Sequence, residues 1–208
     1  MAENVQGLSA VLNNRGYLEI ISGSYEAAEL LLLESIDLNP ANAAQVRLNF
    51  GLALLELRRL DEARSEFARS LGEGVASDAP ELVLYALEGL AGIAASSGND
   101  EAAAGLWGAS EGLRASIDVV LAIAERDLHD RLLPESRARL GADRFARAWA
   151  EGRRCRPSAP SSSRSRPPSS YTLIRRASPW PPPEQIAARP SPPVGCANSV
   201  SESRVRGF

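Results

Sequence analysis

The chain has 208 residues, 44% of them hydrophobic but only 5% aromatic, with a formal net charge of -3. That length allows one domain with a sizeable core plus an appendage, and that composition builds the core from Leu, Ala, Val and Ile. All 23 basic residues are Arg, which excludes a phosphate-binding GxxxxGK[ST] loop and every mechanism that needs a lysine. One His (His129) and two Cys (Cys155, Cys196) cannot furnish an ordinary Cys/His zinc site or a disulfide framework, so neither a metal nor a cofactor is expected.

The first stretch, "MAENVQGLSAVLNNRG", has no basic n-region and no continuous apolar segment, so it does not read as a secretory signal. No apolar run approaches the roughly 20 residues of a membrane span. The expected setting is cytoplasmic, with no membrane partner. From there apolar residues recur at helical spacing, predicting helices over about 8–22, 25–38, 41–57, 60–71, 80–97, 100–115, 120–133, 135–140 and 142–151. Turn signals separate them at Gly23-Ser24, Asn39-Pro40, Gly72-Glu73-Gly74, Gly98-Asn99-Asp100 and Gly141. Asp78 is placed to cap the helix that starts at Pro80, with Glu81 completing a capping box, and Asn99 to cap the one that follows Gly98.

A repeat runs through the first three helix pairs. Gly16, Gly51 and Ala91 align at spacings of 35 and 40, and so do Ala28, Ala63 and Ala103. Leu32, Phe67 and Trp107 follow the alanines by four positions, and Leu12 lies four positions ahead of Gly16. Small residues recur where two antiparallel helices cross closely, and a large apolar residue recurs where a neighbour packs. The four consecutive leucines Leu30 to Leu33 are expected to straddle faces buried within and between repeats.

These positions resemble the tetratricopeptide repeats, which implies an all-α fold: a short α-solenoid of about three antiparallel helix pairs with C-terminal capping helices. "LEGLAGIAASSGNDEAAAGLWGASEGLRASI" and "AERDLHDRLLPESRARLGADRFARAWAEGR" further resemble the C-terminal, MalT-like repeat region of bacterial LuxR-family and ATPase-type transcriptional regulators. The resemblance covers about residues 8 to 153 and implies a detached sensor or scaffold portion of such a regulator. Carried over position by position, it implies a concave groove presenting Asn13, Tyr17, Ile20 and Ile21, then Gln45, Leu48, Leu52 and Glu56, then Tyr85 and Glu88. Such a groove suits a peptide segment or amphipathic helix of a protein partner. It carries no Arg to clamp a C-terminal carboxylate. Ile20, Leu48 and Leu52 read equally well as helix-packing residues. His129 reads as a solvated helix-face histidine, and Trp107 and Trp149 as core and cap.

The chain changes character near Gly152. Residues 1–152 hold 13 Arg against 24 acidic residues, whereas residues 153–208 hold 10 Arg against 2 Glu, with 11 prolines and 12 serines. The second region reads as a disordered Arg/Ser/Pro-rich tail. Its abrupt composition is that of a GC-rich gene read out of frame; a nucleic-acid-binding arm and a Pro-rich linker or ligand are its alternatives. A non-enzymatic protein-interaction module is the expected function, and a nucleic-acid-associated regulator acting through the tail is the alternative.

Overall fold

The computed structural model describes residues 2–154, with side chains from residue 4 onward; the tail expectations lie outside them. Among the described residues the chain is helical without strands: α1 (Ala2–Ile21), α2 (Tyr25–Leu38), α3 (Ala44–Glu56), α4 (Leu60–Ala76), α5 (Pro80–Ser96), α6 (Asp100–Ile117), α7 (Ile123–Leu140) and α8 (Ala142–Arg154). A single 3₁₀ turn, Pro40–Asn42, joins α2 to α3. No helix among the described residues is long and apolar enough to cross a membrane.

Several expected boundaries fall where the turn chemistry put them. Gly23, Gly98 and Gly141 adopt φ of +80°, +77° and +87°, a region only glycine enters without strain. The Asn99 side chain accepts the Ala102 amide at 3.4 Å, capping α6. Other boundaries moved. Gly72 and Gly74 do not form a turn; α4 continues through them to Ala76. A Cβ on Gly74 would sit 2.9 Å from the Leu82 Cβ, so this glycine serves a close crossing with α5. Asp78 does not cap α5: it adopts φ +52°, and Ala79 holds the cap position with no side-chain bond. Pro134 does not split the penultimate helix, which runs unbroken as α7.

Each helix packs on the next from α1 to α6, and the odd-numbered α1, α3 and α5 also touch in a row. The aligned small and large residues meet. A Cβ on Gly16 would lie 2.7 Å from the Leu32 side chain, and one on Gly51 would lie 2.9 Å from the Phe67 ring. Phe67 also presses on Gly89 of α5, so one ring ties two pairs together. Leu12, Ala28, Ala63, Ala91 and Ala103 are all buried in these seams. Burying a ring such as that of Phe67 contributes about 1.5–3 kcal/mol. Ser9, two turns before Gly16, and Ser35, one turn after Leu32, exchange hydrogen bonds in which each hydroxyl reaches the other's carbonyl. Of the four leucines Leu30 to Leu33, only Leu32 is buried; Leu30 is 71% exposed. Leu31 is half-buried and Leu33 exposed, so Leu32 alone of the four is fully enclosed in the seam with α1.

The last two helices behave differently from each other. α8 lies against α6 in the same direction, with Gly105, Gly108 and Gly112 facing Ala148, Trp149, Gly152 and Arg153. The closest approach brings Gly152 onto the backbone of Gly105 and Ala109, a crossing open only to glycine. Phe145, Ala148 and Trp107 fill the apolar cluster around this seam. α7 turns inward instead, touching α5, α6 and α1.

Candidate partner-binding face

The face on which a partner was expected is built by α1, α3 and α5, and α7 lies across it. Tyr17 of α1 meets the start of α7: its hydroxyl accepts the Ala124 amide at 3.2 Å and donates to the Glu125 carboxyl at 3.3 Å. The residue preceding α7, Ala122, supplies no side-chain cap, so Tyr17 satisfies one of the otherwise orphaned first-turn amides. One turn on, Leu128 inserts over Gly92 of α5, beside Leu55 of α3. A methyl on Gly92 would lie 2.9 Å from the Leu128 side chain, so glycine makes the notch that receives it.

His129 follows. Its Nδ1 lies 3.0 Å from the Glu88 carboxylate of α5, and its ring stands edge-on to Trp107, with centroids 5.5 Å apart, and to Trp149 at 6.5 Å. The Ser110 hydroxyl donates to the other Glu88 oxygen. Glu88 is 2% exposed, and these two partners from α6 and α7 are what make its burial tolerable. His129 is thus half-buried and paired, in place of the solvated helix-face position expected for a histidine with no second His or nearby Cys. Arg131 reaches back to Glu56 of α3, Nη1 to Oε2 at 3.2 Å. Arg139, at the far end of α7, holds Asp100 and the Ala95 carbonyl.

Burial dominates the ionisation of this face. It raises the Glu125 carboxyl above its ordinary range, assisted by the charge of Glu88 and opposed by hydrogen bonds from its own backbone and Tyr17. It raises the Tyr17 phenol, with the Ala124 amide opposing and Glu125 assisting. Tyr85 is raised by burial and by the charges of Glu125 and Glu81. Burial works against the charged form of His129, but the Glu88 hydrogen bond and charge outweigh it, and the net shift is upward.

The expected groove residues therefore fall into three groups. Tyr17, Glu56, Tyr85 and Glu88 do lie together on one face, but facing α7. Ile20, Leu48 and Leu52 are packed inside, at 6%, 1% and 3% exposure. Asn13 is half-buried and accepts the Asn49 side-chain amide at 2.9 Å, while Gln45 is exposed. Glu125 and Leu128 of α7 meet this face, and neither was expected there from the sequence, although Leu128 stands as the central apolar residue of "AERDLHDRL". The glycines at 105, 108 and 112 were a legible small-residue stripe on α6; what they receive was not. Among the described residues no group of three or more His, Cys, Asp or Glu is placed to hold a metal ion.

Solvent-exposed aliphatic side chains remain on the first pair: Val11 at 62% and Leu18 at 64% on α1, and Leu30 on α2. No family model, curated protein or solved structure matches the chain.

Proposed function

We propose that the chain is a non-enzymatic protein-interaction module: a short α-solenoid of tetratricopeptide type that binds helical or extended protein segments, acting as the sensor or scaffold portion of a cytoplasmic signalling or transcriptional regulator. The observation that carries this reading is α7 itself. A helix is seated across α1, α3 and α5 by side chains from all three, so the face has the shape and chemistry to receive one. The ionisable groups of the face are engaged in fastening that helix, a binding role more than a reactive one. The bare aliphatic residues of the first pair add a second surface of the kind that partner proteins cover.

Capture of native partners by the immobilised full chain, with Leu18→Arg and Leu30→Arg variants alongside, tests the reading. Both side chains are exposed, so the variants keep the fold. At least one partner held by the wild type is expected to fall roughly tenfold with either variant or to depend on the α7 face. A chain that retains no protein specifically would contradict the module reading.

A further inference from the structure

Of the three helix pairs, the second and third each have one side covered by the pair before them. Asn49 of α3 donates to the Asn13 carboxamide of α1 at 2.9 Å, and Gly89 of α5 takes the Phe67 ring of α4. At the repeat spacings of 35 and 40, Asn49 and Gly89 are equivalent to Asn14 of α1. Val46 and Ala86 are likewise equivalent to Val11, and Ala53 and Ile93 to Leu18. All six positions of α3 and α5 are buried. Their α1 counterparts are exposed, Val11 at 62% and Leu18 at 64%. Of the exposed α1 residues from position 4 on, Arg15 alone is charged, whereas charged residues predominate among those of α7. The outward face of α1 is therefore a helix-receiving face that no other described helix covers.

The repeat also says what fits there, namely a helix of this same type. Pair two is enclosed between its neighbours and pair three is covered by α7 and α8, so a second copy offers its own α1. That face is self-complementary. Asn4, Gly7, Val11, Asn14, Leu18 and Ile21 follow one another at alternating spacings of three and four, the seam pattern of paired helices. Laid antiparallel on itself over its whole length, the stripe sets Asn4 against Ile21, Gly7 against Leu18 and Val11 against Asn14. Small against large is the device already seen at Gly16 with Leu32 and at Gly51 with Phe67. A Cβ on Gly7 would meet nothing within 4 Å, so the space opposite it is open. The two Asn14 carboxamides meet across the axis, as Asn13 and Asn49 do inside the chain. Arg15 falls beside Leu8 of the second copy, where its aliphatic stem covers apolar surface, and not opposite itself.

We propose that the outward face of α1 is a homodimer interface, in which two copies of the chain pair their α1 helices antiparallel about a two-fold axis between residues 11 and 14. The proposal rests on the interaction-module reading and names what covers its bare first helix. Such a contact is isologous and closed, so assembly stops at two chains. One helix face is small for a specific interface, and dissociation is expected at about 10 μM.

Sedimentation velocity of the full chain over a range of about 1–300 μM tests it. The sedimentation coefficient is expected to rise from that of one chain to that of two and no further. Asn14→Asp sets two carboxylates against each other across the axis, and Asn14→Arg sets two guanidiniums. Each variant alone is expected to weaken the dimer at least about tenfold. An equimolar mixture of the two is expected to associate at least as well as the wild type, because only a two-fold contact brings position 14 onto itself. The Asn14 side chain is exposed, so both variants keep the fold, which circular dichroism checks. A wild type that stays monomeric throughout the range would overturn the proposal, as would growth beyond two chains. Single variants that associate like the wild type, or a mixture that stays monomeric, would overturn it too. If the chain is monomeric while Leu18→Arg still lowers capture of another protein, the face belongs to that partner, the module reading stands and the dimer falls. If the chain dimerises through position 14 but captures no other protein, the dimer stands and the module reading falls.

Discussion

Single side chains decide how closely these helices approach. A methyl at Gly152 would collide with the Gly105 carbonyl, which is backbone and cannot yield, whereas one at Gly16 would meet only the flexible end of Leu32. Overpacking of this kind costs about 1–3 kcal/mol, more where nothing can move. Gly152→Ala is therefore expected to destabilise by about 3 kcal/mol and Gly16→Ala by about 1 kcal/mol, measured by urea unfolding; the reverse order would refute the assignment of the α6–α8 seam. Gly16 and Gly51 were legible in sequence because they recur at a fixed offset. Gly152 was not, since its partner Gly105 lies outside any repeat period. Ionisable residues make a second prediction. His129 has a raised folded pKa, so its stabilisation is complete below about 6.5 and is lost as pH rises through the folded value. Glu125 is also raised, so the folded state resists its ionisation and stability declines as pH rises above about 4.5. Asp100 is held low by hydrogen bonds from Arg139, and its contribution, present above about 3.8, is lost as pH falls through its folded value. The melting temperature should therefore peak at mildly acidic pH and fall towards pH 8.5. His129→Gln should flatten the descent above pH 6.5. Around the imidazole stand Glu88 from α5, Arg114 from α6 and Asp130 on its own helix, and Glu88 is the one in hydrogen-bond contact. An unchanged slope in the variant would assign the loss to other groups.

At the scale of elements, helical periodicity located every helix, and the errors cluster where a residue has two uses. Glycine at 72 and 74 signals a turn by composition, yet Gly74 is a crossing point on α5, and tertiary packing overrode the local preference. Proline at 134 signals a break, yet its position inside α7 costs the helix one hydrogen bond without ending it. Pro134→Ala restores that bond and is expected to stabilise the chain by about 1–3 kcal/mol in thermal unfolding. A destabilised Pro134→Ala chain would mean that the proline ring packs in a way that the helix depends on. The four leucines of α2 show the same limit from the other side: their identity says apolar, and only the geometry of the α1 seam selects Leu32.

At the scale of the whole molecule, the sequence made the pairs legible and left the path of α7 hidden. Repeated small and large residues specify contacts between neighbours, and those contacts are present at Gly16–Leu32 and Gly51–Phe67. The inward course of α7 depends on Tyr17, Glu56 and Glu88 meeting residues 41 to 108 positions away, and no period announces such pairs. The expected cap for the last repeat is divided accordingly: α8 covers α6, and α7 fills the face where a partner was expected. The account's central claim is that the α1/α3/α5 face receives α7 as a separately seated helix. Native-state hydrogen exchange of the full chain in low denaturant tests it most directly. Opening of α7 is expected as a separate unit, several kcal/mol below global unfolding, with α5, α6 and α8 still protected. Exchange of α7 amides only together with those of α5 would make α7 an inseparable part of the core and contradict the account.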